Sequence, residues 1–162
     1  MIDQADLIRI AEERLKDAEA LLAAGRYDGA IYLGGYVVEL GLKSRICKIL
    51  NWKGFPQTRT EFQNFLSFKT HNLDVLLALA GAEDKIKTTY LVEWSAVATW
   101  DPEARYNPIG SATKADAELL VESAKRLLGA MKELLPRFVD LEKELAEERG
   151  GLFCNGRINN GN

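Results

Sequence analysis

Two short groupings in this chain combine residue types that could bind a charged ligand. Glu39 and Lys43 stand four positions apart, and Arg105 is followed directly by Tyr106. An i, i+4 pair lies on one face of a helix, here with the acid in the favoured N-terminal position. An arginine can hold a phosphate through two parallel hydrogen bonds, and a tyrosine ring can stack on a base. These four residues predict a groove that binds a phosphate or a nucleotide.

His71 is the single histidine of the chain and a candidate general acid or base. It precedes the apolar run NLDVLL where a helix should begin, a position that also suits a structural hydrogen bond at a helix N-terminus. Structural roles are open for the other candidates too. Glu39 and Lys43 could form an ordinary intrahelical ion pair. Arg105 could form an ion pair with Glu39 or cap a helix. The Tyr106 ring could pack on the protein while its hydroxyl stays exposed to solvent.

The segment that carries Glu39, GGYVVELGLKSRI at residues 34–46, contains three glycines. A glycine inside a helix costs about 1 kcal/mol of helix stability relative to alanine, so we expect each of these glycines to have a structural role that compensates for this cost. Gly34 and Gly41 are seven positions apart and share a helix face. The spacing predicts that another helix approaches closely on that face.

Composition favours one water-soluble domain without disulfides. The chain has 162 residues, is 47% hydrophobic and carries a formal net charge of −3, which disfavours a general nucleic-acid binder. Residues 25–70 nevertheless hold seven basic and three acidic side chains, a local excess that suits a phosphate or an acidic partner. Cys47 and Cys154 form no paired motif, and neither a signal peptide nor a membrane-length apolar run is evident. We expect a cytoplasmic protein that needs no metal or other cofactor and does not enter a membrane.

Apolar periodicity predicts an all-α protein of about five helices. The helices are expected at residues 6–24, 27–50, 71–81 and 83–100, and from Ser111 or Thr113 onward. Residues 51–70 and 101–111 are expected to be loops, and no strand pattern is present. The helical bundle should occupy residues 1–148. The glycine- and asparagine-rich residues 149–162 are predicted to be a disordered tail.

Four motifs, in order, resemble the HEPN domain family. They are A-x-YL-x-GY-x-VE-x-x-LK at residues 30–43, H-x-L at 71–73, a tryptophan at 94 or 100, and RY at 105–106. The resemblance covers about residues 5–135. It implies an up-and-down bundle of four or five helices, usually a homodimer, that is often associated with a small nucleotidyltransferase and with nucleotides or RNA.

Many HEPN proteins are metal-independent ribonucleases of toxin–antitoxin or defence systems, with an R-x4-6-H catalytic motif. This sequence lacks that motif: Arg59 precedes His71 by twelve positions, and glycine, serine and alanine occupy positions 110–112, where a histidine after Arg105 would fall. We therefore predict a non-catalytic, dimeric module, with no catalytic residue, that binds a nucleotide, an RNA or a partner nucleotidyltransferase. The alternative is a toxin ribonuclease with a relocated acid or base, for which His71 is the only imidazole.

Overall fold

Apolar residues at helical spacing give the described part of the chain its helices, and the all-α class is confirmed. A computed structural model describes residues 1–134. Its α-helices are α1 (Gln4–Ala23), α2 (Tyr27–Ile49), α3 (Leu73–Leu79), α4 (Glu83–Thr89), α5 (Leu91–Val97) and α6 (Lys114–Glu133). The expected end of the bundle at residue 148 and the expected tail at 149–162 lie outside the described residues.

The connection between α1 and α2 forms the antiparallel hairpin that its length predicts. Gly25 follows α1 with a φ of +71°, the left-handed conformation that commonly ends a helix. The Arg26 amide then donates to the Leu21 carbonyl at 2.8 Å, which closes the turn before α2 begins at Tyr27. Both helix boundaries were therefore readable from the sequence.

Helix α6 packs against the glycine-bearing face of α2. A Cβ added at Gly34 would lie 2.5 Å from Leu120 Cδ2, and one added at Gly41 would lie 2.8 Å from Met131 Sδ. The predicted close approach on this face is confirmed. Salt bridges link α6 to α1 as well, because Lys125 bonds to Glu19 and Lys132 to Glu12. Residues 1–132 form one compact unit.

A short strand pair adds to the helices and corrects the expectation of no strand. Strand β1 (Ile2–Asp3) pairs antiparallel with β2 (Gly54–Phe55), with Ile2 opposite Phe55. Two residues per strand are too few to leave an alternating pattern in the sequence. The pairing holds the start of the 51–70 loop against the N-terminus, and the Phe55 side chain is fully buried.

The helix expected over residues 83–100 is divided into α4 and α5 at Tyr90. Thr88 donates its hydroxyl to the carbonyl oxygens of Asp84 and Lys85, at 2.6 and 3.3 Å. Such bonds from a threonine to the preceding turn weaken and bend a helix. After α5, residues Pro102–Tyr106 form a 3-10 helix where a loop was expected.

The segment between this 3-10 helix and α6 is tied to the start of α2. Asp28 accepts hydrogen bonds from the backbone amides of Gly110 and Ala112, at 2.6 and 2.8 Å, and these bonds lower the pKa of its carboxyl. Thr113 caps α6, since its Oγ1 accepts from the Asp116 amide and the Asp116 carboxylate accepts in return from Thr113. These contacts hold the segment that leads into α6 beside the start of α2.

Candidate functional site

Glu39 and Lys43 form the ion pair that their spacing predicts, with Glu39 buried and Lys43 mostly buried. The Lys43 Nζ lies 2.5 Å from Glu39 Oε1. Only 3% of the Glu39 side chain and 12% of the Lys43 side chain are exposed. Lys43 also lies over the Phe55 ring, with Nζ 5.2 Å from the ring centroid, so its cation has a second favourable contact.

His71 joins this pair from the segment before α3. Its Nδ1 lies 2.9 Å from Glu39 Oε2 and 3.1 Å from Oε1, while 57% of its side chain is exposed. A neutral imidazole that donates through Nδ1 keeps Nε2 as its acceptor. We call Glu39, Lys43 and His71 the Glu39 cluster. It resembles the carboxylate–imidazole arrangement of acid/base sites, in which the carboxylate fixes the tautomer of the ring.

The expected hydrogen bond of His71 at a helix N-terminus is made by its neighbour instead. Asn72 caps α3, since its side-chain oxygen accepts from the Val75 amide at 3.0 Å. The His71 ring is thereby left to bind Glu39. His71 thus lies beside Glu39, one of the residues predicted to form the groove.

Arg105 and Tyr106 lie together on the 3-10 helix, and we call them the Arg105 pair. The Arg105 guanidinium lies over the Tyr106 ring, 4.6 Å from its centroid, and 73% of Tyr106 is exposed. Arg105 Nη2 bonds to Glu103 Oε1 at 2.8 Å. The alternative in which Arg105 forms an ion pair with Glu39 is wrong. Arg105 pairs with Glu103, two positions away, and His71 lies beside Glu39.

Aromatic side chains of α2 lie between the two groupings and were missed by the sequence reasoning. The Tyr32 and Tyr36 hydroxyls are 3.4 Å apart, and the Tyr36 ring meets the Trp100 ring edge-on at 4.8 Å. Burial, followed by the Tyr32 hydrogen bond and the nearby Glu39 charge, raises the pKa of Tyr36 to about 12, whereas Arg105 lowers it. The pKa of Tyr36 therefore responds to charges in both groupings. Its signal in the sequence was the i, i+4 spacing of Tyr32 and Tyr36, one turn before Glu39.

The segment that holds Glu39 also lies in the part of the chain that matches a known family. The HEPN domain model matches residues 4–58. The match covers less than half of the chain and supports a HEPN domain over those residues. No curated protein and no solved structure matches the chain. The HEPN match includes α1, α2 and β2 and therefore contains Glu39 and Lys43, whereas His71, Arg105 and Tyr106 follow it along the chain.

The HEPN match indicates the general class of the domain but not its chemistry. HEPN domains are helical, commonly dimerise, and serve as nucleotide- or RNA-related modules of the toxin–antitoxin type. In residues 1–134, no group of three or more histidine, cysteine or acidic side chains is arranged to hold a metal ion. None of the helices in that part of the chain has the length and apolar character required to cross a bilayer.

Proposed function

We propose that this HEPN protein is a non-catalytic, dimeric binding module of the cytoplasm that holds a nucleotide or RNA at the Arg105 pair. The observation that carries the proposal is the exposed stack of Arg105 on Tyr106. The guanidinium offers hydrogen-bond donors to a phosphate, and the exposed tyrosine ring offers a face for a base. Tyr32 and Tyr36 extend the aromatic surface toward the Glu39 cluster.

The separate partners of the arginine and the histidine support a binding role. In the ribonuclease members that the sequence resembles, one arginine and one histidine act together on the scissile phosphate. Here Arg105 is paired with Glu103 and His71 with Glu39. The chain keeps an arginine that can bind a phosphate but lacks the histidine that would act with it. Such a chain would bind its ligand without cleaving it. A nucleotidyltransferase partner, in a toxin–antitoxin or defence system, belongs to the same proposal.

Replacing Tyr106 with alanine should weaken RNA binding by about 1–3 kcal/mol, roughly 5- to 150-fold, because one base loses its stacking face. Arg105→Ala should weaken it as well and should reduce its salt dependence, since one phosphate contact is lost. Fluorescence anisotropy with a labelled single-stranded oligoribonucleotide measures both effects. The matched control is Arg9→Ala, which removes an exposed arginine of α1 that pairs with Asp6. Equal affinity of all four proteins would refute a site at the Arg105 pair.

The buried Glu39 carboxylate beneath His71 favours a second candidate, a ribonuclease with a relocated acid or base. In metal-independent cleavage, the ribose 2′-oxygen attacks phosphorus to form a 2′,3′-cyclic phosphate, and the 5′-oxygen leaves and takes a proton from water. Nε2 of His71 would take the proton of the 2′-hydroxyl, and Glu39 would stabilise the resulting imidazolium. The exposure of the ring leaves it accessible to a large substrate.

The two candidates differ in what His71→Gln should do. On the primary proposal, wild type and variant bind the oligoribonucleotide within about twofold of each other, leave it intact without metal, and have the same effect on cell growth when expressed. Denaturing gel electrophoresis of the RNA and growth curves provide the measurements. Cleavage by the wild type that His71→Gln abolishes would replace the binding module with the ribonuclease. Sedimentation of the wild-type protein measures whether it is a dimer in solution.

A further inference from the structure

A groove lies beside the candidate site, between the 3-10 helix, α5, α6 and the first turns of α2. Its volume is about 470 Å³, within the range of small binding clefts. Much of its lining is apolar and comes from four different segments: Ile31, Ala96, Trp100, Leu119 and Leu120. Leu119 is half exposed, at 52%, although it lies in the second turn of a helix that packs on the core. Burial of such an apolar lining under a partner is favourable, because it removes apolar surface from water.

The rim of the groove is acidic. Asp101, Glu103 and Asp116 line it, and no lysine or arginine is among the described residues that do so. Asp101 caps the 3-10 helix, Asp116 bonds to Thr113, and Glu103 is partly neutralised by Arg105. The local field still favours cations over anions, so a phosphate backbone is a poor occupant. This groove therefore differs in ligand preference from the Arg105 pair.

Charge also disfavours a symmetric contact between two copies here. In a twofold interface the same patch meets itself, so the acidic rim of one protomer would face the acidic rim of the other. Like charges brought together in this way are repulsive. The occupant that complements both features has lysine or arginine around an apolar stripe.

We propose that this groove docks a basic amphipathic segment of a partner protein. Its apolar side chains would cover Leu119 and its neighbours, and its cations would meet the carboxylates of the rim. The inference does not require a ligand at the Arg105 pair, although Glu103 both lines the groove and bonds to Arg105.

Two labelled synthetic peptides of about 15 residues test the proposal on the full chain. Both carry leucine at helical spacing, and the remaining positions are lysine in one and glutamate in the other. We expect the lysine peptide to bind the wild-type protein about tenfold or more tighter than the glutamate peptide, with a preference that shrinks as salt is raised. Equal binding of both peptides, or no binding of the lysine peptide, would overturn the docking role.

A pair of matched leucine substitutions localises the binding. Leu119→Arg should weaken the lysine peptide about tenfold or more, because it removes apolar lining and adds a repelling cation. Leu66→Arg changes a leucine of similar exposure, 68%, that does not line the groove, and should leave the affinity unchanged. Equal losses in both variants would contradict the proposal. So would a wild-type dimer, seen by sedimentation, that only Leu119→Arg dissociates, since the groove would then hold a second copy.

Discussion

Replacement of Glu39 by leucine is expected to lower the free energy of unfolding by about 3–5 kcal/mol, which corresponds to a fall in Tm of roughly 6–20 °C. The reason is the state of Lys43 after the change. Its side chain is 12% exposed and its ammonium bonds to the lost carboxylate, so the variant holds a mostly buried cation without that counter-ion. His71 loses its partner too, but it is largely exposed and can turn to water. Urea and thermal denaturation followed by circular dichroism measure the loss.

The double variant Glu39→Leu with Lys43→Leu separates a lost charge pair from poor packing. Removing both charges should recover much of the stability, because two apolar side chains can replace a buried ion pair at little net cost. Glu19→Leu is the surface control: its pair with Lys125 is half exposed and should contribute no more than about 1 kcal/mol. If the double variant is no more stable than Glu39→Leu, an unpaired lysine is not the cause.

The sequence predicted the contacts between neighbouring residues of one helix and missed those between residues that are distant in the chain. The Glu39 and Lys43 pair follows from helix geometry alone, since residues four apart on α2 must be neighbours. His71 lies 32 positions beyond Glu39, and only the packing of α3 against α2 brings its Nδ1 to the carboxylate. No local pattern encodes that contact. Glu39 was one of several partners considered for Arg105, and the structure pairs Arg105 with Glu103, two residues away.

The fold divides in the same way. The ends of α1 and α2 were predictable because Gly25 and a short connection constrain them locally. The break at Tyr90 depended on where the Thr88 hydroxyl donates, which the apolar period does not reveal. The β1 and β2 pairing is fixed by contacts between distant segments, each only two residues long.

The close contact of Gly35 with Trp100 is the second feature whose disruption should have a large effect. The indole lies against the bare backbone of Gly35, and a Cβ placed there would lie only 2.1 Å from Cδ2 of the ring. Trp100 is 6% exposed, and its Nε1 has no hydrogen-bond partner in the described part of the chain. An unpaired buried donor costs about 1–3 kcal/mol, so the ring must gain more than that from its packing.

Gly35→Leu should therefore cost about 3 kcal/mol or more, because it expels the indole and forfeits the packing of a large aromatic side chain. Gly129→Ala, in α6, is the matched control. No atom lies within 4 Å of the Cβ it would add, so it should be neutral or stabilise the helix by up to about 1 kcal/mol. Urea denaturation gives both values, and near-ultraviolet circular dichroism reports the setting of the indole. A Gly35→Leu protein with wild-type stability and an unchanged aromatic spectrum would mean that Trp100 does not lie on α2, and the aromatic link between the Arg105 pair and the Glu39 cluster would fail with it.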